Sequence, residues 1–113
     1  MPTPHYPSIA TRRALKTLGS HMYDARRRRG LPAHVVADRA FTSRPTLRRI
    51  EAGDHRVGIG IYAAVLQALG LLNGLEQVAS PAKDSVGIAL AAAALPQRIH
   101  LKRAKAAVKA LVE

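Results

Sequence analysis

The stretch TSRPTLRRIEAGD, residues 42–54, predicts one short helix with a defined start and end. Ser43 is a typical N-cap residue, and Pro45 falls in the first turn, where a missing backbone N–H costs no hydrogen bond. Gly53 suits the left-handed position that follows a helix. Two apolar residues share one face at helical spacing: Leu47 and Ile50. The other faces carry three arginines: Arg44, Arg48 and Arg49.

A longer helix is predicted before this stretch. Ser8 can cap its start, and Gly30 can end it after the basic run 26–29, whose charges suit the negative end of a helix dipole. The tetrapeptide GSHM at residues 19–22 continues the helical spacing, so we interpret it as a native part of this helix. One apolar face repeats every three or four residues: Leu15, Leu18, Met22 and Ala25.

A second helix is expected from Pro32, at its first helical position, through Ala40. Phe41 and Thr42 would then form a turn into the stretch quoted above. Two interpretations of Phe41 stay open: it bends the turn differently from a glycine, or it fills the core beside Leu47.

Two further helices are predicted beyond Gly53. The fourth closes near Gly70, and the fifth begins at Asn73 or Gly74 and ends at residues 80–81. The fourth helix has its apolar positions at Ile61, Val65, Leu66, Leu69 and Leu72. No useful length of sequence alternates with the period of a strand. The predicted fold class is therefore all-α, a five-helix domain with a C-terminal helical extension.

Composition divides the chain into a flexible arm at 1–8, a helical domain at 9–80 and a basic helical tail at 81–113. In the tail, Asp84 or Ser85 can cap an alanine-rich helix at 86–95, which Pro96 ends. Residues 97–113 form a further candidate helix. Its apolar stripe consists of Leu101, Ala104, Val108 and Leu111. This stripe has four possible roles: a dimer contact, a docking helix for a partner, a tail ordered only on binding, or a support for a basic face on DNA.

Charge favours a polyanionic partner. The chain carries 18 Lys and Arg against 7 Asp and Glu, a formal net charge of +11, and the excess lies in residues 1–30 and 81–113. There is no cysteine, and no two of the five histidines are four residues apart, so we expect neither a metal nor a cofactor. No set of residues suggests catalysis. No apolar run approaches the roughly 20 residues of a membrane span, and we expect a cytoplasmic, nucleoid-associated protein.

The second helix, the short turn and the third helix together have the layout of a helix-turn-helix. In that layout the third helix enters the major groove of DNA by its N-terminal end. Arginine is suited to that position because it forms two hydrogen bonds with guanine, worth about 1–3 kcal/mol of discrimination. A hydroxyl residue at the start of the helix can bond a phosphate or a base.

The segment at 30–71, GLPAHVVADRAFTSRPTLRRIEAGDHRVGIGIYAAVLQALGL, resembles the XRE/Cro type of phage-repressor-like helix-turn-helix, and the likeness covers about residues 12–79. The continuation at 59–99 further resembles HipB-like antitoxins. That resemblance implies a homodimer on a palindromic operator of double-stranded DNA. It also implies repression of its own operon and binding of a HipA-like kinase toxin. By analogy with the family, residues 69–75 would make the dimer.

The same resemblance assigns roles within the third helix. Ser43 matches the cap and phosphate contact, and Glu51 matches an acidic position that pairs with an arginine of the first helix. The full set of predicted DNA-binding residues is Thr42, Ser43, Arg44, Pro45, Thr46, Arg48 and Arg49. Among them, three occupy base-facing positions: Arg44, Pro45 and Arg49. Residues 26–29 could either bind phosphate or simply suit the helix end.

Two departures from the family pattern leave other functions open. Pro32-Ala33 stands where many relatives have Thr-Gln, which contacts phosphate, and Phe41 stands where many have glycine. One alternative is a stand-alone transcriptional regulator without a toxin. Another is a protein-binding helix-turn-helix module that has lost DNA binding.

Overall fold

The computed structural model describes residues 6–95, which form six α-helices and one 3-10 turn and contain no strand. The helices are α1 (Ile9–Arg28), α2 (Ala33–Arg39), α3 (Arg44–Glu51), α4 (Ile59–Ala68), α5 (Leu72–Gln77) and α6 (Ser85–Ala94), and the 3-10 turn is Pro81–Lys83. The predicted all-α fold class is confirmed. The chain divides into two compact units, with the boundary between Leu75 and Glu76.

The ends of α1 follow the sequence prediction. The Ser8 side chain accepts a hydrogen bond from the Thr11 N–H, which caps the helix start. At the other end Gly30 is left-handed, with a φ of 64°, and its N–H bonds the Arg27 carbonyl while the Leu31 N–H bonds the Arg26 carbonyl. This pair of bonds is a Schellman motif, which satisfies carbonyls that the helix end would leave free.

The bounds of two short helices differ slightly from their predictions. Pro32 is the N-cap of α2 rather than its first helical residue, and the helix ends at Arg39 with Ala40 as C-cap. Helix α5 begins at Leu72, before the predicted start at Asn73 or Gly74. Such shifts of one or two residues arise because terminal turns lack the full set of backbone hydrogen bonds.

The first unit has one apolar core, to which α1, α2, α3 and α4 all contribute. Its fully buried large side chains are Met22, Val36, Leu47, Ile50 and Val65. Tyr62 of α4 is also buried, whereas Ile61, which the spacing had placed on the buried face, is 38% exposed. The Tyr62 hydroxyl donates to the Asp54 carbonyl at 2.7 Å, so this polar group is satisfied at the edge of the core.

Two glycines allow α1 to approach the end of α3 closely. A Cβ placed on Gly19 would lie 2.5 Å from the Ile50 carbonyl oxygen, and one on Gly53 would lie 2.6 Å from the Leu15 carbonyl oxygen. Gly53 also has a φ of 74°, a conformation that suits glycine. The GSHM tetrapeptide at residues 19–22 lies within α1, as predicted, and both Gly19 and Met22 are buried.

An ion pair joins the same two helices. Arg26 donates from Nε to Glu51 at 2.7 Å and from Nη2 at 3.2 Å, and its Nη1 donates to the Leu31 carbonyl at 3.1 Å. The hydrogen bonds to Glu51 raise the pKa of Arg26 from its ordinary value. The predicted pairing of Glu51 with an arginine of the first helix is confirmed. Because both side chains are about one-tenth exposed, the pair orients α3 against α1 more firmly than a surface pair would.

The connection between α3 and α4 is held by a local charge pair. The Asp54 carboxylate accepts from the Arg56 backbone N–H at 2.8 Å and from the Arg56 guanidinium at 3.0 and 3.1 Å. These hydrogen bonds lower the pKa of Asp54 from 3.8 to about 2. The connection therefore keeps its charge pair throughout the physiological pH range.

Little of the predicted arm and only part of the predicted tail are described. In the arm, Pro7 is buried and the Tyr6 ring meets His55 edge-on at 6.1 Å. In the second unit, the Asp84 side chain caps α6 by accepting from the Gly87 N–H, as predicted. Residues 1–5 and the candidate helix at 97–113 lie outside the described residues. The predicted domain bounds at 9–80 and 81–113 stay a prediction.

We expect Gly19→Ala to lower the free energy of unfolding by about 2 kcal/mol, because the new methyl group would meet backbone atoms that cannot move aside. Gly60→Ala is the matched control. Gly60 lies within α4, where a new methyl group would meet no neighbouring atom within 4 Å, so alanine there should stabilise by about 0.5 kcal/mol. Urea unfolding followed by circular dichroism measures both changes. Equal effects at the two positions would contradict the close approach of α1 and α3.

Candidate nucleic-acid interface

The turn between α2 and α3 is a second Schellman motif. The Phe41 N–H bonds the Asp38 carbonyl at 3.1 Å, and the Thr42 N–H bonds the Ala37 carbonyl at 2.9 Å. Phe41 occupies the left-handed position with a φ of 55°, and it alone among the described non-glycine residues has a positive φ. The backbone thus turns as it would with glycine, at a cost of about 1–2 kcal/mol for an L-residue.

Phe41 does not enter the core. Its side chain is 97% exposed, so the interpretation that it packs beside Leu47 is wrong. The physical reason is local. The two hydrogen bonds to the α2 carbonyls require a left-handed backbone at this residue, whatever its side chain. The exposed Phe41 ring therefore stands in the turn that precedes α3.

Helix α3 begins with a hydroxyl cap. The Ser43 Oγ accepts from the Thr46 N–H at 3.2 Å and shares a hydrogen bond of 3.0 Å with the Thr46 Oγ1. The predicted N-cap is confirmed, and Pro45 lies in the first turn as expected. Because either hydroxyl can supply the proton of the bond between Ser43 and Thr46, one hydroxyl proton of the pair remains to donate outward.

The faces of α3 are sharply divided. Leu47 and Ile50 are buried against the core. Four residues are exposed on the opposite arc of the helix: Arg44, Pro45, Arg48 and Arg49. At about 100° per residue, Arg44 and Arg48 form one ridge and Pro45 and Arg49 a neighbouring one. Burial of one side thus presents the predicted base-facing residues together on the other, and Thr42 and Thr46 are partly buried beside them.

A cleft of about 370 Å³ runs beside the first of these ridges. It is lined by Tyr23, Arg26, Ala33, Arg44, Leu47, Arg48 and Glu51, so it brings α1, the start of α2 and α3 together. Arg49 is not among these residues. A second cleft of about 360 Å³ shares Arg26 and is lined further by Arg27, Gly30, Leu31 and Pro32.

Tyr23 of α1 was not among the predicted site residues, and Arg27 belongs to the run 26–29, for which phosphate binding was left open. The Arg27 Nη1 donates to the Tyr23 hydroxyl at 2.7 Å, and the guanidinium carbons of Arg26 and Arg27 lie 5.2 and 5.6 Å from the centre of the Tyr23 ring. The sequence signal was the four-residue spacing of Tyr23 and Arg27, which places them on one face of a helix. Their proximity to α3 depends on how the helices pack.

Two features are absent from the described part of the chain: a metal-binding cluster and a membrane-spanning helix. Residues 6–95 contain no group of three or more His, Cys, Asp or Glu side chains that could hold a metal ion. No helix in this part is long and apolar enough to cross a membrane.

Comparison with known proteins gives one family. The family model of a helix-turn-helix domain matches residues 17–79, which is more than half of the chain and includes α2, α3 and α4. No match was found among curated proteins or among solved structures. The helix-turn-helix is a DNA-binding fold, in agreement with the layout predicted from the second and third helices.

We expect Phe41→Gly to raise the free energy of unfolding by about 0.5–1 kcal/mol, because glycine relieves the left-handed strain and the exposed ring gives up no packing. Phe41→Ala is the control, since it removes the ring but keeps the Cβ that causes the strain. The shift of the urea midpoint measures both. If alanine stabilised as much as glycine, the strain would have another source.

Proposed function

The chain belongs to the helix-turn-helix domain family, and on that premise we propose that it is a sequence-specific DNA-binding repressor whose α3 enters the major groove. The observation that carries the proposal is the division of α3 into two faces. Leu47 and Ile50 are buried, which directs the arginine-bearing arc away from the core. The capped N-terminus of α3 is then free to approach base edges.

Each exposed residue of α3 has a role in this proposal. Arg44 and Arg49 contact base edges, and Pro45 packs against the bases at the floor of the major groove. Arg48, Thr46 and Ser43 contact phosphate or base. Thr42 completes the contact set at the turn.

Charge supports a nucleic-acid partner in this proposal. The chain carries a formal net charge of +11, and Arg44, Arg48 and Arg49 form no ion pair among residues 6–95. Unpaired guanidinium groups displace counterions from DNA, so the affinity should fall steeply with salt. A module that had lost DNA binding would have no use for three such arginines on one exposed arc.

We further propose that the protein acts as a homodimer on a palindromic operator. Within the predicted dimer region at 69–75, Leu69 is buried in the protomer's own core and so cannot serve the contact. Leu71 is 38% exposed, and Leu72 and Leu75 are partly buried, which leaves these three for a partner protomer. A dimer would place two copies of α3 in successive major grooves.

The finer proposal is an antitoxin that represses its own operon and binds a HipA-like kinase toxin. It rests on the resemblance of residues 59–99 to HipB-like proteins and on the basic tail at 81–113. A stand-alone regulator without a toxin is the second candidate. A kinase-like gene beside the coding sequence would favour the first.

We expect Arg44→Ala to weaken specific binding by about 1–3 kcal/mol for each bound protomer and to relax the preference at one base pair of each half-site, because it removes a bidentate contact with guanine. The measurement is a titration against the protein's own upstream DNA beside a scrambled duplex at matched salt. Arg13→Ala is the control, since it removes an equal charge from the exposed part of α1. Equal binding of both duplexes by the wild type would contradict sequence-specific recognition. Equal losses in the two variants would remove Arg44 from the base-contacting set.

If the tail docks the toxin, we expect deletion of residues 97–113 to spare binding to the protein's own upstream DNA. The same deletion should reduce binding of a kinase encoded beside the gene. The full chain and the shortened chain are each co-purified with that kinase and then titrated with the DNA. The comparison gives kinase binding and DNA binding for both chain lengths. Equal loss of both activities would instead identify the tail as a DNA arm or a stabilising element.

A further inference from the structure

The start of α2 has no side-chain cap. Its N-cap is Pro32, which has no backbone N–H, and Ala33 follows it. The donors that remain at this helix start are the first-turn N–H groups of Ala33 and His34 and the His34 side chain. A helix-turn-helix that binds DNA needs several backbone contacts to fix its register, so further donors beside α2 have a use.

The cleft beside α3 has the charge for that contact. Of the charged residues that line it, Arg26 and Glu51 neutralise each other through two hydrogen bonds. Arg44 and Arg48 are left with positive charges that no acid balances in the described part of the chain. Ala33 forms part of the same wall, so the cleft opens beside the start of α2.

Tyr23 and Arg27 add directed donors. Tyr23 lines this cleft, and Arg27 lines the neighbouring cleft and is bonded to Tyr23. The Tyr23 hydroxyl accepts a hydrogen bond from Arg27. The hydroxyl proton of Tyr23 is therefore free to be donated to a ligand. The position of the Tyr23 ring is supported by the Arg26 and Arg27 guanidinium groups, which lie 5.2 and 5.6 Å from its centre. Arg26 is committed to Glu51 and Leu31, whereas Arg27 makes one side-chain hydrogen bond in the described residues and keeps further N–H groups to donate.

We propose that Tyr23 and Arg27 of α1, together with Arg48 of α3, form a binding site for one phosphodiester of the DNA backbone. This proposal rests on the proposed function. The site adds a backbone contact beside the start of α2, where neither Pro32 nor Ala33 has a polar side chain. Because a phosphate carries no base identity, the site positions the protein on DNA and strengthens binding to every sequence equally.

The test compares two adjacent arginines of α1. Arg27→Gln removes a member of the site, and Arg28→Gln is the matched control, because Arg28 lines neither cleft and its loss lowers the net charge by the same amount. The probe is a duplex selected by the wild-type full chain from a random library, beside a scrambled duplex. Affinities are measured over a range of salt concentrations.

We expect Arg27→Gln to weaken binding to both duplexes by about tenfold for each bound protomer, as the loss of a charge-assisted hydrogen bond does. The slope of log affinity against log salt should become shallower by about 0.9 for each bound protomer, the value for one phosphate. Arg28→Gln should change both quantities much less. Tyr23→Phe keeps the ring beside the arginines and should weaken binding about threefold, with unchanged circular dichroism.

A second measurement locates the phosphate. Replacing single phosphates of the selected duplex by neutral methylphosphonates should reveal one linkage in each half-site at which the wild type loses affinity and Arg27→Gln loses none further. Equal behaviour of Arg27→Gln and Arg28→Gln in both measurements would overturn the site while leaving sequence-specific binding intact. A wild type without preference for the selected duplex, yet with a slope that depends on Arg27, would overturn the proposed function and support the site. Absence of binding to any duplex would overturn both.

Discussion

The structure of the first unit depends on the close approach of α1 to the end of α3. Gly19 and Gly53 make that approach possible, because a Cβ on either would meet backbone atoms of the opposing segment at 2.5–2.8 Å. With the backbones this near, Leu47 and Ile50 reach the core beside Met22 and are almost fully buried. The Arg26–Glu51 pair then fixes the rotation of α3 about its own axis, since both side chains are largely removed from solvent.

The position of the candidate DNA-binding surface follows from this packing. A helix of eight residues has little stability of its own, so α3 owes its orientation to the face that it buries. Once Leu47 and Ile50 point inward, Arg44, Arg48 and Arg49 can only point outward. The same packing brings Tyr23 of α1 to the cleft beside Arg48, and so joins the helix that supports α3 to the surface that α3 presents.

The two departures from the family pattern affect chemistry rather than backbone geometry. Phe41 adopts the left-handed conformation that a glycine would, because the carbonyls at the end of α2 require it, and its ring is left exposed. Pro32 caps α2 with its backbone alone. The turn therefore forms as in a helix-turn-helix, while the start of α2 has no side-chain cap and an exposed aromatic ring stands at the turn.

The sequence by itself determined the features that depend on neighbours along the chain. The caps at Ser8, Ser43 and Asp84, the left-handed glycines at 30 and 53 and the apolar face of α3 were all predictable, because each arises from hydrogen bonds or spacing within a few residues. Only the tertiary structure decided that Gly19 is a contact point and that Tyr23 lies beside Arg48. Those outcomes depend on distances between helices far apart in sequence, and no local pattern of residue types carries that information.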